Sequence, residues 1–432
     1  LNITSSVSGG TAGFTYSWSG PNGYTSASSS GSVANATIAA NGVYTVNVTD
    51  ANGCTATGTV TATIYGTELY VNDNSQAGDT YTTAIGNDNN PGTASAPFAT
   101  IGKAIQVAQT GNTIKVDAGS YSENLTVSGK NLVFLGPNAG LNNANGTRVA
   151  EAVVTAAGNS SLFAFASNVA SYTIDGFSLV GADYSNDVNG SIVWSSGEAT
   201  VTNIVNNKLE ISSNAIYAKR YIWLGGPQSN NSGNSYISGN ISHNSFTASG
   251  SGKGFAGITM QKWSQNFNIT GNKFAGMKGH RNLLVWHPTT SVVVSNNEFS
   301  SSDDGSNGGS GRELIAVFGA SPTPGGGITI QNNSFSIPGK AITVGNGVDF
   351  GAAVSITNND FNGVSGAIIN SSATGGAIAA TCNWWGAQCG PVPGDIVGAV
   401  TSTAWTTDGT DSNPAMGFQP NANTCFGGTA VV

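Results

Sequence analysis

An asparagine followed two residues later by a large apolar side chain returns along this chain at nearly regular distance. In SVVVSNNEFS it closes a short apolar run; NISHNSFTAS, FNITGNKFAG, ITIQNNSFSI and VSITNNDFNG repeat it, with weaker copies in TNIVNNKLEI and AATCNWWGAQ. The marker residues are Asn207, Asn244, Asn272, Asn297, Asn333, Asn359 and Asn383, and Phe177 of YTIDGFSLVG holds the same place one step earlier. The intervals are 30, 37, 28, 25, 36, 26 and 24 residues. A constant block of roughly two dozen residues, lengthened only at certain points, marks a solenoid, because insertions are tolerated only where the chain leaves the stack. Coils of β structure stack about 4.8 Å apart, so equivalent positions lie over one another. The motif is therefore expected to be a corner, with the Asn side chains in a ladder of amide hydrogen bonds and the Phe rings piled inside.

The rest of the chain agrees with β structure. Only 8% of the 432 residues are charged, and a chain poor in Lys and Glu is poor in helix formers. Its length exceeds what one compact core usually holds. A formal charge of -8 argues against nucleic acid as a partner, since phosphate binding needs a basic surface. No run of about 18 to 20 apolar residues is present, so no membrane insertion is expected. The chain opens at Leu1 without a basic and then apolar leader, which fits a processed or truncated secreted protein. Cys54, Cys382, Cys389 and Cys425 show no C-x-x-C spacing and no neighbouring His, so disulfides are expected rather than zinc. Cys382 pairs with either Cys389 or Cys425 on this reading, and the spacing leaves both open.

A boundary is expected near Gly66. Before it, FTYSWSGPNGYTS, GVYTVNVTDANGC and ATGTVTATI alternate like strands, with Pro-Asn-Gly and Ala-Asn-Gly at the turns. Residues 1–66 then form a small sandwich with Trp18 in its core. After it, Ile101, Ala104, Ile105 and Ala108 have helical spacing just ahead of the strand NTIKVDAG. A helix at about 95–110 in front of a stack of strands is a cap, which an open solenoid end requires. The fold class is thus all-β: a small sandwich, then a capped β-helix over 67–432.

Particular motifs resemble known families. The pattern from Gly42 to Cys54, G-x-Y-T-V-x-V-T-D-x-N-G-C, resembles the close of Ig-like or polycystic-kidney-disease-like repeats of bacterial surface proteins. In those modules the closing Cys pairs with one on the first strand; none precedes Cys54 here, so the resemblance implies an N-terminally clipped module. YVNDNS (70–75), PGTASAPFATIGKAI (91–105), GTRVAEAVV (146–154), TCNWWG (381–386) and GFQPNANTC (417–425) resemble the secreted right-handed parallel β-helix proteins of the pectin-lyase-like superfamily in Bacteroidota. This resemblance covers nearly all of the chain after Gly66. It implies an extracellular or cell-surface location and type IX secretion, with the Cys-containing region at about 380–432 closing the far end. The superfamily includes polysaccharide lyases, hydrolases, adhesins and stalks, so the fold does not decide the chemistry.

The residues of an enzyme of that kind are out of order. Polygalacturonase-like members carry Asp-Asp, then Gly-His-Gly, then Arg-x-Lys; here Asp303-Asp304 follows Gly279-His280-Arg281 and no Arg-x-Lys comes after. Pectate-lyase-like members hold calcium with acidic residues on adjacent coils beside a basic residue. Glu210, Glu298, Asp303 and Asp304 do not share one repeated position. No cofactor is expected, with calcium the one ion the resemblance leaves open, and catalysis is not expected; a lyase or hydrolase is the alternative, and a segment or subunit of an extracellular filament, contacting copies of itself or neighbouring domains, is the third reading.

Between Lys208 and Arg312 stand nine of the 14 Lys and Arg residues against those four acids. The segment carries +5 and the remainder -13, a contrast that can focus an anionic partner onto the middle coils. There the strands YIWLGG, ITMQKW, LLVWHP and LIAVFG precede the corners. With Ile222, Ile258, Val285 and Val317 inward, period-2 alternation turns Trp223, Gln261, Trp286 and Phe318 outward. Trp223 and Trp286 with Lys262, His287, Arg220 and Arg281 are the candidate site for an acidic polysaccharide or cell-surface glycan, the rings stacking on sugar faces and the cations pairing with carboxylate or sulfate. The alternative for the same residues is long loops at 225–236 and 301–312 covering the rings.

Overall fold

The computed structural model describes the chain except residues 143–145, 159, 182–189, 197–199, 213–219, 226–235, 250–255, 262, 278–280, 301–312, 319–326, 337–338, 346–352, 365, 372–377, 422–424 and 428–432. The N-terminal strands are antiparallel. Asn2–Thr4 pairs with Ser30–Ser32, and a four-stranded sheet runs in the order Tyr24–Ser26, Thr15–Gly20, Gly42–Thr49, Thr55–Ala62. Tyr44, Val46 and Val48 alternate inward along one strand and close a core with Ile3, Trp18 and Ala62. Trp18 is 3% exposed and its indole N–H donates to the Ser28 carbonyl at 2.9 Å, so it is a core residue with a satisfied donor. Cys54 is an exposed free thiol.

From Glu68–Val71 to Val400–Thr401 the strands stack in parallel. Among the described residues they form sheets of twelve, eight and ten strands, each strand pairing with its counterpart one coil away. The chain is a parallel β-helix. One coil shows the circuit: Thr200–Val205 lies in the twelve-stranded sheet, Lys208–Ser212 in the eight-stranded sheet and Arg220–Leu224 in the ten-stranded sheet, and Tyr236–Ser242 begins the next coil. One continuous apolar core, from Leu69 to Trp405, fills the interior.

The repeated Asn is the corner between the twelve- and eight-stranded sheets. All seven Asn residues are fully buried. The Nδ2 of Asn207 donates to Asn244 Oδ1 at 3.1 Å, and the series continues through Asn272, Asn297, Asn333 and Asn359 to Asn383 with distances of 2.9 to 3.1 Å. The same Oδ1 atoms accept the backbone N–H of the preceding ladder Asn, as Asn244 Oδ1 does from Asn207 at 2.9 Å. Phe177, at the ladder position of its coil, donates its N–H to Asn207 Oδ1 and has no amide to extend the series. The residue before each ladder Asn is left-handed: φ is +57° at Asn206, +56° at His243, +64° at Gly271, +56° at Asn296 and Asn332, +57° at Asn358 and +58° at Cys382. Asn and Gly tolerate that conformation best. Two residues on, Phe246, Phe274, Phe299, Phe335 and Phe361 stack at 4.6 to 5.1 Å, and Trp385 closes the pile 5.2 Å from Phe361.

Both ends are closed. The helix Ile101–Val107 buries Ile101, Ala104 and Ile105, and the Thr100 side chain caps it by accepting from Lys103 N–H. The Glu123 carboxylate accepts the N–H groups of Ile101 at 2.9 Å and Gly102 at 2.8 Å, meeting the positive end of the helix. At the far end Cys382 is bonded to Cys425. Cys389 is an exposed thiol, which removes it from the disulfide candidates; the chain between Cys382 and Cys389 passes through Trp384 and Trp385, which are committed to the stack and its rim.

Candidate functional site

The ten-stranded sheet carries four of the six candidate residues, Arg220 and Trp223 on Arg220–Leu224 and Arg281 and Trp286 on Arg281–Trp286. Ile222, Ile258, Val285 and Val317 are fully buried in the core, as their apolar spacing requires. The outward row is not the one that spacing alone assembles. Trp223 pairs in register with Trp194 on one side and Thr259 on the other, then Leu284, Ala316 and Thr343 follow. Trp286 and Phe318 are partners one outward position further along the strand.

Exposure corrects the expectation further. Trp223 is 3% exposed and Phe318 4%, so neither ring offers a free face. The Trp223 indole N–H donates to Gln261 Oε1 at 2.7 Å, and the Arg220 guanidinium lies 4.1 Å from its ring centre. Trp223 therefore supports Arg220 by a cation–π contact rather than meeting a sugar. The signal in the sequence was Gln261, a polar partner for the indole, but the alternation assigns a side and says nothing of what lies above it.

Three candidate residues do meet, through Phe318. The Arg281 guanidinium lies 5.2 Å from the Phe318 ring centre, and Trp286 meets the same ring edge-on at 5.5 Å. His287 tilts against Trp286 at 6.0 Å, has φ of +49°, and donates its backbone N–H to the Phe318 carbonyl at 2.9 Å. This single left-handed residue joins Arg281–Trp286 to Pro288–Ser295 and so fixes the end of the cluster. Arg281, Trp286 and His287 are all partly exposed. The Trp286 Nε1 is buried and has no hydrogen-bond partner among the described residues. Arg220 and Trp223 form a separate pair two coils back, and Lys262 lies outside the described residues, as do Asp303, Asp304 and His280.

Much of the basic charge is already compensated. Arg281 pairs with Glu313 at 3.1 Å, Lys273 with Glu298 at 3.1 Å, and Lys208 with Glu151 at 2.8 Å. Glu313 follows Arg312 directly, so a count that stops at Arg312 misses the carboxylate facing Arg281. Burial works to raise the Glu151 carboxyl, but hydrogen bonds and charge from Arg148 and Lys208 outweigh it and hold it below its ordinary value. Among the described residues no group of three or more His, Cys, Asp or Glu side chains is placed to hold a metal ion. Comparison of the chain with protein-family models, with curated proteins and with solved structures gives no match, so what can be said of its role rests on this geometry.

Proposed function

We propose that the chain is an extracellular or cell-surface adhesin, a right-handed β-helix of the pectin-lyase-like kind behind an Ig-like module, which holds an acidic glycan without cleaving it. The observation that carries the reading is the Trp286 indole N–H, which has no hydrogen-bond partner among the described residues, set beside the Arg281 guanidinium and His287. A buried donor without an acceptor is unfavourable by about 1–3 kcal/mol, and a sugar carboxylate or sulfate would satisfy it while facing Arg281. The Cys382–Cys425 disulfide supports an oxidising compartment.

A structural role as a filament segment is the second reading, and the Arg281–Glu313 pair favours it, since a compensated guanidinium attracts an anion less strongly. A binding and cleavage screen of the purified protein against acidic and neutral polysaccharides separates the readings. The expected result is binding to an acidic polysaccharide that weakens with salt, falls at least about tenfold in Trp286→Ala, and generates no new reducing or unsaturated ends. Released oligosaccharide would make the protein an enzyme; no binding to any acidic polysaccharide would leave the filament role.

A further inference from the structure

The C-terminal segment folds back over the row of left-handed corner residues. Asn383 bridges to Trp405, and Ala404–Thr406 pairs with Cys425–Gly427, so residues 407–421 lie on an excursion held at its base by that pair and by the Cys382–Cys425 bond. The bonded Cys382 is itself a member of the corner row. At the other end of the excursion the Phe418 N–H donates to the Asn332 carbonyl at 3.0 Å, and Phe418 is 2% exposed. Gly417 is pressed so closely on the row that a Cβ there would stand 2.2 Å from the Asn332 carbonyl and 2.6 Å from Asn296 Cα. This accounts for the G-F-Q-P run: Gly for the close approach, Phe for the anchor, Gln for what lies beside it.

Beside it is a cavity of about 340 Å³, bounded by His243, Gly271, Asn296 and Asn332 of the corner row and by Ala415, Met416 and Gln419 of the excursion. Gly271 makes the space. Every neighbouring position in the row carries a side chain, whereas a Cβ at Gly271 would come 2.8 Å from the His243 ring. No Asp, Glu, Lys or Arg lines the cavity among the described residues. Asn296, Asn332, Asn413 and Gln419 bring neutral side-chain amides to its wall, and Asn332 Oδ1 and Gln419 Oε1 have no hydrogen-bond partner among the described residues. Gln419 Nε2 donates to the Met416 carbonyl at 3.0 Å and to Asn296 Oδ1 at 3.5 Å, which ties the excursion to the corner row. Burial holds the His243 imidazole below its ordinary pKa, so at neutral pH the ring offers one donor and one acceptor and no charge.

We infer that this cavity binds a neutral saccharide unit, distinct in place and in charge from the acidic-glycan cluster on the ten-stranded sheet. A cation would find no carboxylate there, and an anion no guanidinium or ammonium. Sugar hydroxyls exchange hydrogen bonds with the lining amides and with His243, while Met416 and Ala415 supply an apolar wall. The volume is at the small end of ligand pockets, roughly 300–1,000 Å³, which suits one ring rather than a chain.

The test is a calorimetric and NMR titration of the full chain with neutral hexoses, N-acetylhexosamines and their disaccharides, at low and high salt. The expected result is saturable binding of a neutral sugar, unchanged by salt and unchanged in Trp286→Ala. Two variants close the cavity by different routes: Gly271→Asn restores the residue type the row already carries, and Ala415→Trp fills the space from an exposed position. Each is expected to weaken binding at least about tenfold, with the unfolding midpoint of the parent kept in Ala415→Trp. No saturable response to any neutral sugar, or binding kept by a folded Ala415→Trp variant, overturns the inference.

Discussion

The two Asn residues of the repeated Asn-Asn pair do different work, and substitution should separate them. Asn297 Nδ2 donates to the Ile269 carbonyl and to Asn333 Oδ1, and its own Oδ1 accepts from the N–H and the Nδ2 of Asn272. Removing that amide in Asn297→Ala leaves several fully buried groups unpaired at about 1–3 kcal/mol each. A loss of about 3–6 kcal/mol in urea unfolding is expected. Asn296, one residue earlier, is there for its left-handed backbone, and Asn296→Gly should change stability by no more than about 1 kcal/mol. Equal losses in the two variants would mean that the ladder is not what holds the corner. The corner motif was legible because spacing alone brings its copies into line. Trp223 was legible only as to side, since alternation carries no information on the 3% exposure that decides its role.

Among the elements, the C-terminal excursion depends most on a covalent bond. The Cys382–Cys425 bond spans 43 residues, and in the chain-entropy model a loop of that size is stabilised by about 4 kcal/mol. Cys382→Asn combined with Cys425→Ser removes the bond while giving the left-handed corner the residue that Asn296, Asn332 and Asn358 already use. The expected outcome is loosening confined to the last coils: faster protease cutting between Trp405 and Cys425, faster amide exchange there, and unchanged exchange at Asn272 and Asn297. Uniform loss of protection along all coils would show that the bond stabilises the whole stack. The choice of Cys425 over Cys389 was hidden from the sequence because it depends on the excursion returning to the corner row, and that return is set by Gly417 and Phe418 against Asn332.

At the scale of the molecule, the N-terminal strands and the β-helix have separate cores. The first is built on Trp18, Tyr44, Val46 and Val48; the second starts at Leu69. Between them the Asn41 amide exchanges two hydrogen bonds with the Ile64 backbone, its Nδ2 donating to the carbonyl at 2.9 Å and its Oδ1 accepting the N–H, and the Tyr65 ring rests 5.9 Å from Phe98, so the connection is tethered on both sides by local contacts rather than by a shared core. The β-helix is a sum of coils, each stabilised by its neighbours, whereas the N-terminal module is small and leans on two large buried side chains, Trp18 and Tyr44. Truncating Trp18 to Ala removes a fully packed ring and a satisfied indole donor, a change that costs about 3–5 kcal/mol in a module whose whole margin is of that order. Calorimetry of Trp18→Ala should therefore lose a low-temperature transition and keep the β-helix transition at its original midpoint. If the two instead move together, the modules fold as one cooperative unit, and the tethers at Asn41 and Tyr65 carry far more than their few local contacts imply.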